Sequence, residues 1–169
     1  VRAFCAPVSR FGHASFFRHH TVSLPLIRLL YASRATSGTS YGALIGIMDH
    51  ARDKNSISNI TGMLCYGSGQ FLQALEGDRQ SVSALYHRIA PDERHTECQL
   101  ISIVEIEARA FAEWSMKVVN WDDGKSTRRQ SLLEADTGTS EFNPSAMHAE
   151  QANRFLLHLA ELEREIAGD

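Results

Sequence analysis

Residues 60–89 read Ile60-Thr-Gly-Met-Leu-Cys-Tyr66, Gly67-Ser-Gly69, Gln70-Phe-Leu-Gln73-Ala-Leu-Glu76, Gly77-Asp78-Arg-Gln-Ser-Val82-Ser-Ala-Leu85-Tyr-His-Arg-Ile89. Two short apolar runs flank a Gly-containing turn, the pattern of a β-hairpin. From Gly77-Asp78 the period changes: Val82, Leu85 and Ile89 recur at helical spacing, and Pro91 lies just beyond. Upstream, Leu26-Ile-Arg-Leu-Leu-Tyr31-Ala-Ser33 reads as a strand, apolar on both sides and therefore covered on both faces. Its candidate inward set is Ile27, Leu29, Tyr31 and Ser33. Between this strand and the hairpin, Leu44, Ile47, Met48 and Ala51 follow helical spacing behind Ser40 as N-cap, and that helix is expected to close near Lys54-Asn55. Downstream, Cys98 to Glu105 reads as an apolar fourth strand. Phe111 to Val119 holds a fifth, with Trp114, Met116 and Val118 expected on one side. The order β-α-β-β-α-β-β is the split-βαβ arrangement of α+β ferredoxin-like sandwiches.

Two helices cover only one face of such a sheet, and an uncovered apolar face is sticky. After a polar stretch, Asp122 to Ser140, residues 145–166 carry Ala149, Ala152, Phe155, Leu156, Leu159, Leu162 and Ile166, the buried stripe of an amphipathic helix suited to the second face. Glu161, Glu163, Arg164 and Glu165 are expected on its polar side. The organisation expected is an extension (1–23), a sandwich (24–121) and a C-terminal helical cap (122–169).

The chain has 169 residues, 43% hydrophobic and 22% charged, which suits one globular domain and excludes fibrous or wholly disordered structure. No apolar run approaches the ~18–20 residues of a membrane-spanning helix. Arg28 interrupts the best candidate, Leu24 to Leu30. The three scattered cysteines, Cys5, Cys65 and Cys98, suit a reduced, cytoplasmic protein better than a disulfide framework. Residues 1–48 contain five arginines and no acid, leaving 12 basic and 20 acidic residues in the remainder. An acidic body argues against a nucleic-acid partner. Residues 1–23 have the composition of an organellar transit peptide or, more plainly, of a poorly ordered extension.

The familiar catalytic motifs are missing: no Gly-x-Gly-x-x-Gly, P-loop, Gly-x-Ser-x-Gly or His-Glu-x-x-His run occurs. The eight histidines either lie in the extension or are scattered singly, so surface histidines are expected rather than a metal site. More telling are polar residues in apolar strands. Tyr31 closes the first strand and Gln73 sits between Phe71 and Leu75. A buried glutamine amide needs hydrogen bonds, and a phenol can both donate and accept one. The pattern alone allows a satisfied core Tyr–Gln pair, or a Gln73 facing solvent on an edge strand.

Leu29-Leu-Tyr31-Ala-Ser33, Asn55-Ser-Ile-Ser-Asn-Ile-Thr-Gly62, Gln70-Phe-Leu-Gln73-Ala-Leu-Glu-Gly77 and Phe111-Ala-Glu-Trp114-Ser-Met116, in that order over residues 26–120, resemble the successive signatures of the BLUF family of blue-light sensors. The resemblance implies a ferredoxin-like βαββαββ sandwich with FAD between the two core helices and C-terminal helices on the far face. It makes Tyr31 the electron and proton donor to the excited flavin and Gln73 the amide bridging tyrosine and flavin. Asn55 would hold a flavin carbonyl, Ile47 and Ile89 would sandwich the ring, and Arg88 would lie near its pyrimidine edge. Trp114 and Met116 would be the pair whose exchange between buried and exposed positions relays the signal. Lys54 replaces a second polar residue of the family pattern, and would either contact the FAD phosphates or be solvated. Ile47, Ile89, Trp114 and Met116 would equally be core residues of any sandwich.

With about 48 residues after the family core, the resemblance implies a sensor without an enzymatic effector, signalling to a separate, unidentified partner protein through the 145–166 helix or the sheet face beneath it. A homo-oligomer is expected on the same grounds. Two rivals share the layout. An RNA-binding module needs exposed strand aromatics in a basic surface. An acylphosphatase-type hydrolase needs a phosphate-cradling first loop, near which only Arg34 falls.

Overall fold

The computed structural model describes residues 24–37, 42, 52–123 and 127–168. Five strands form one sheet: β1 (Leu26–Ala35), β2 (Thr61–Gly67), β3 (Gln70–Asp78), β4 (His95–Glu105) and β5 (Lys117–Asn120). Their order is β4-β1-β3-β2-β5, antiparallel except for the parallel pair β2–β5. Helix α1, described over residues 52–57, precedes β2 and runs slightly past the expected end near Asn55. Helix α2 (Arg79–Ile89) joins β3 to β4, and α3 (Thr127–Thr137) and α4 (Ala149–Gly168) follow β5, separated by a 3₁₀ turn at Pro144–Ala146. This is the ferredoxin-like α+β fold expected, with β5 added at the edge of β2.

Local chemistry accounts for the hairpin and its helix. Ser68 and Gly69 both have positive φ, 49° and 68°, as a two-residue hairpin turn matching strand twist requires. Asp78 caps α2 by accepting a hydrogen bond from the Ser81 N–H at 2.9 Å. Hydrogen bonding by Ser81, from its side chain first and then from its backbone N–H, holds the Asp78 carboxyl below its ordinary pKa.

Alternation along the strands divides the core. On one face Ile27, Leu29, Tyr31, Leu64, Phe71 and Leu75 pack with Val82 of α2 and with Met116. On the other, Leu30, Met63, Cys65, Leu72, Ala74 and Val119 pack beneath Phe155, Leu156 and Leu159 of α4 and Leu133 of α3. The amphipathic helix thus covers the second face as expected, but it has company. The polar stretch 122–140 contains α3, held to α4 by Leu133 and by buried Asp136, which bonds Arg154 and His158. Glu163, expected on the polar side of α4, is instead buried between Lys117 and Arg129.

The fourth strand forms where it was expected, and the fifth needs correction. β4 is apolar but lies at the sheet edge, and Leu100, Ile103 and Val104 are exposed. The fifth strand is only Lys117–Asn120: residues 111–114 form a turn closed by the Trp114 N–H on the Phe111 carbonyl at 3.0 Å, and Ser115 is a bend. Strand alternation therefore does not apply to residues 111–116. Met116 and Val118 pack on the α2 face, whereas Trp114 packs on the α4 face. There its ring meets Lys117 at 5.5 Å and Arg164 at 5.0 Å.

Candidate functional site

Tyr31 and Gln73 are direct cross-strand partners on β1 and β3, so their side chains rise from the sheet on one face. Both are buried, 4% and 3% exposed. The Tyr31 hydroxyl donates to Gln73 Oε1, and Gln73 Nε2 donates to Met116 Sδ at 3.2 Å. Gln73 therefore faces the core rather than solvent, and its amide is oriented by one strong oxygen contact and one weak thioether acceptor. Burial pushes the Tyr31 phenol above its ordinary pKa, so it is neutral at physiological pH.

Tyr31 has neighbours that the sequence reading did not single out. The Tyr86 ring of α2 meets it edge-on at 5.5 Å, and the His95 ring, at the start of β4, lies 6.4 Å away. The Tyr86 hydroxyl lies 3.7 Å from Cys98 Sγ. Burial, then this contact, pushes the Tyr86 phenol up to about 12. His95 is a half-buried residue rather than a surface histidine. Its Nε2 is 2.9 Å from the Ile89 carbonyl, which can only accept, so Nε2 carries the hydrogen. Its Nδ1 and the Ser33 hydroxyl are buried without a hydrogen-bond partner among the described residues. A cue for Ser33 was its place in the inward set of β1. For His95 there was none, because a lone histidine at a strand start carries no pattern.

Of the other expected site residues, Asn55 is buried at the end of α1, its Nδ2 donating to the Ser115 carbonyl at 3.1 Å. Ile89 is half-buried and packs against the Tyr31 cluster. Lys54 and Arg88 are exposed, with no ion-pair partner among the described residues. Trp114 stands apart, on the opposite side of the sheet from Tyr31 and Gln73. Ile47 lies outside the described residues. Among those described, no group of three or more His, Cys, Asp or Glu side chains could hold a metal ion, and no helix is long and apolar enough to cross a membrane.

The residues suit a flavin dinucleotide. Among the described residues, an apolar face carries polar atoms without partners at Ser33 and His95, a second N–H on the Asn55 amide, and two cations without ion-pair partners near helix ends. A flavin offers an apolar tricycle with carbonyls and an N–H at one edge, and phosphates at the other end. The rivals fare worse. The sheet face on which an RNA-binding module stacks bases is filled by α3 and α4. Arg34, the residue nearest a hydrolase-like first loop, pairs with Glu97 at the surface.

Comparison with known proteins agrees. Residues 26–117 match the family model described as BLUF, sensors of blue-light using FAD. The chain is 39% identical over 92 residues to photoactivated adenylate cyclase subunit beta of Euglena longa, a match covering 54% of this chain but only 11% of that protein. Among solved structures, the BlsA photo-activated state matches with a TM-score of 0.71 at 30% identity, covering 80% of this chain and 94% of the other. BlrB, described as a BLUF protein in its dark state, matches with a TM-score of 0.66 at 27% identity, over 82% of this chain and 97% of that one. With a buried Tyr–Gln pair on the sheet and more than half its length matched by the family model, this chain belongs to the BLUF family of blue-light sensors that use FAD.

Proposed function

We propose that the protein is a blue-light photoreceptor in which Tyr31 and Gln73 form the photoactive pair, with FAD held noncovalently on the sheet face beneath α1 and α2. The observation that carries the reading is the buried chain from the Tyr31 hydroxyl through the Gln73 amide to the Met116 sulfur. Asn55, Ile47 and Ile89 hold the flavin ring, Arg88 lies at its pyrimidine edge, and Lys54 is the cation available to the phosphates.

Bound FAD supplies the absorption of blue light and the capacity to take up an electron with a proton. With that group bound, Tyr31 would be the residue to give up one electron and its O–H proton, ending as a neutral phenoxyl, and would regain both on return to rest. Burial favours this coupled loss, since a charged side chain is costly at that position. Once Tyr31 no longer donates, Gln73 Oε1 loses the bond that orients the amide. Only the weak thioether contact at Nε2 then resists its rotation or tautomerisation. Turning the amide would exchange donor for acceptor on the side where FAD would bind, which would shift its absorption to the red, and would disturb the contact to Met116. Trp114, on the far side of the same segment, carries the disturbance to α4.

Output passes to a separate partner protein. The sheet beneath α4 is filled, so the outward side of residues 145–166 is the docking surface that remains. A cytoplasmic homo-oligomer completes the reading. The free thiols Cys65 and Cys98 and the exposed Leu100, Ile103 and Val104 of β4 support it.

Purified protein should be yellow and show a reversible red shift under blue light. Tyr31→Phe should abolish the photocycle, and Gln73→Glu should abolish the normal shift. A colourless protein that takes up no FAD would overturn the proposal.

A further inference from the structure

Residues 114–116 lie just outside β5, whose ladder to β2 begins only at Lys117 opposite Met63, so their carbonyls lie outside that ladder. Each is taken up in another way. The Gly62 N–H donates to the Trp114 carbonyl at 3.0 Å, Asn55 Nδ2 to the Ser115 carbonyl at 3.1 Å and Arg52 Nε to the Met116 carbonyl at 3.0 Å. Gly62 is suited to the approach, since a side chain there would crowd the Met116 methyl and collide with the Ala74 carbonyl. Arg52 and Asn55 stand three residues apart on α1, on one face of the helix. A helix therefore grips, with two consecutive side-chain bonds, the stretch of backbone whose thioether touches Gln73.

Of the two side-chain grips, that of Arg52 is charge-assisted and the stronger. It also acts on the residue that contacts the photoactive amide, whereas Asn55 acts one residue earlier. Residues 115 and 116, held by side chains rather than by a ladder, can be released without unpairing the sheet. We propose that Arg52 is a positioning residue of the light response: its bond to the Met116 carbonyl holds the thioether against Gln73 in the resting state and sets how readily that contact is re-made after light. This rests on the sensor reading above and adds to it a residue outside the Tyr31–Gln73 pair.

The test uses the full-length, FAD-loaded protein, with Arg52→Gln and Arg52→Lys compared with wild type. The methionine methyl groups are ¹³C-labelled, and the dark decay of the red-shifted absorption is timed. Wild type should show a single Met116 methyl resonance in the dark, identified by its loss in Met116→Leu. Arg52→Gln should show a second Met116 resonance. It should recover about ten-fold more slowly, the factor one charge-assisted hydrogen bond represents. Arg52→Lys, which keeps a charged donor, should lie closer to wild type on both readouts. Equal recovery rates and one unchanged Met116 resonance in Arg52→Gln would overturn the inference. Loss of the light response in wild type would overturn the sensor reading instead, and the dark methyl spectrum would still decide whether Arg52 holds Met116.

Discussion

The two faces of the sheet bury polar groups under opposite rules. Beneath α4 each buried carboxylate is paired. Glu76, fully buried, bonds Arg28 and takes the backbone N–H groups of Ala110 and Phe111, while Arg28 reaches on to Asn153 of α4. Glu163 lies between Lys117 and Arg129, and Asp136 between Arg154 and His158. Beneath α1 and α2, Tyr31 and Gln73 satisfy each other only in part, and Ser33 and His95 each keep a buried atom without a partner among the described residues. A completed network fixes one geometry, and an incomplete one leaves donors and acceptors for a ligand. On the function proposed above, the difference makes the α4 face structural support and the other face the flavin site.

The sharpest way to break this contrast is to unpair the supported face. Arg28→Met keeps the length of the side chain but strands the fully buried Glu76 carboxylate with two backbone N–H groups, and removes the link to Asn153. Stripping one partner from a buried pair costs about 3–5 kcal/mol. Urea unfolding of Arg28→Met followed by circular dichroism should show a loss of that size, with the midpoint moved and the slope unchanged. A loss below about 1 kcal/mol would mean that the pair behaves as a surface ion pair, and that the network does not support the sheet.

How legible each face was in the sequence follows from the same division. β1, the hairpin and α2 could be read because propensity, turn chemistry and the Asp78 cap all agreed with the final packing. α3 could not. Leu132 and Leu133 are its apolar residues of any size, and besides Leu133 what fastens it is ion pairing of Asp136 and Arg129 with α4, which no local pattern shows. β4 carries the pattern of a buried strand yet lies at an edge, because burial is decided by what covers a strand. The opposed directions of Trp114 and Met116 were hidden by the turn at residues 111–114, which cancels the period of two. At the site, Tyr31 and Gln73 were visible as oddities of composition. That they face each other depends on the register of β1 against β3, and the family resemblance rather than the pattern supplied it.

A second, smaller effect belongs to the site face. Tyr86 is half-buried with its phenol pushed up to about 12 from an ordinary 10.0, by burial and then by the Cys98 contact. The folded protein holds this proton more tightly than the unfolded chain, so the contribution to stability is intact below pH 10 and fades as pH climbs toward 12. Partial exposure reduces its size. Thermal melts across this range should show a steeper alkaline decline in wild type than in Tyr86→Phe. Identical slopes would mean that Tyr86 is open to solvent and that the packing around Tyr31 is looser than the 5.5 Å ring contact implies.

The smallest stability change, and the most discriminating, is expected at Ser33. Its hydroxyl is buried, 1% exposed, and makes no hydrogen bond among the described residues. Deleting it by Ser33→Ala removes a desolvated group without leaving another unpaired, so flavin-free protein should keep its stability or gain up to about 1 kcal/mol. If the hydroxyl serves the bound cofactor, the same change should weaken FAD binding by about five-fold, the factor of one modest hydrogen bond. The two readouts then move in opposite directions, which no purely structural role produces. Should Ser33→Ala instead destabilise the flavin-free protein as Arg28→Met is expected to, the hydroxyl would be part of a completed network after all. The contrast between the faces would then disappear at the position where it is easiest to measure.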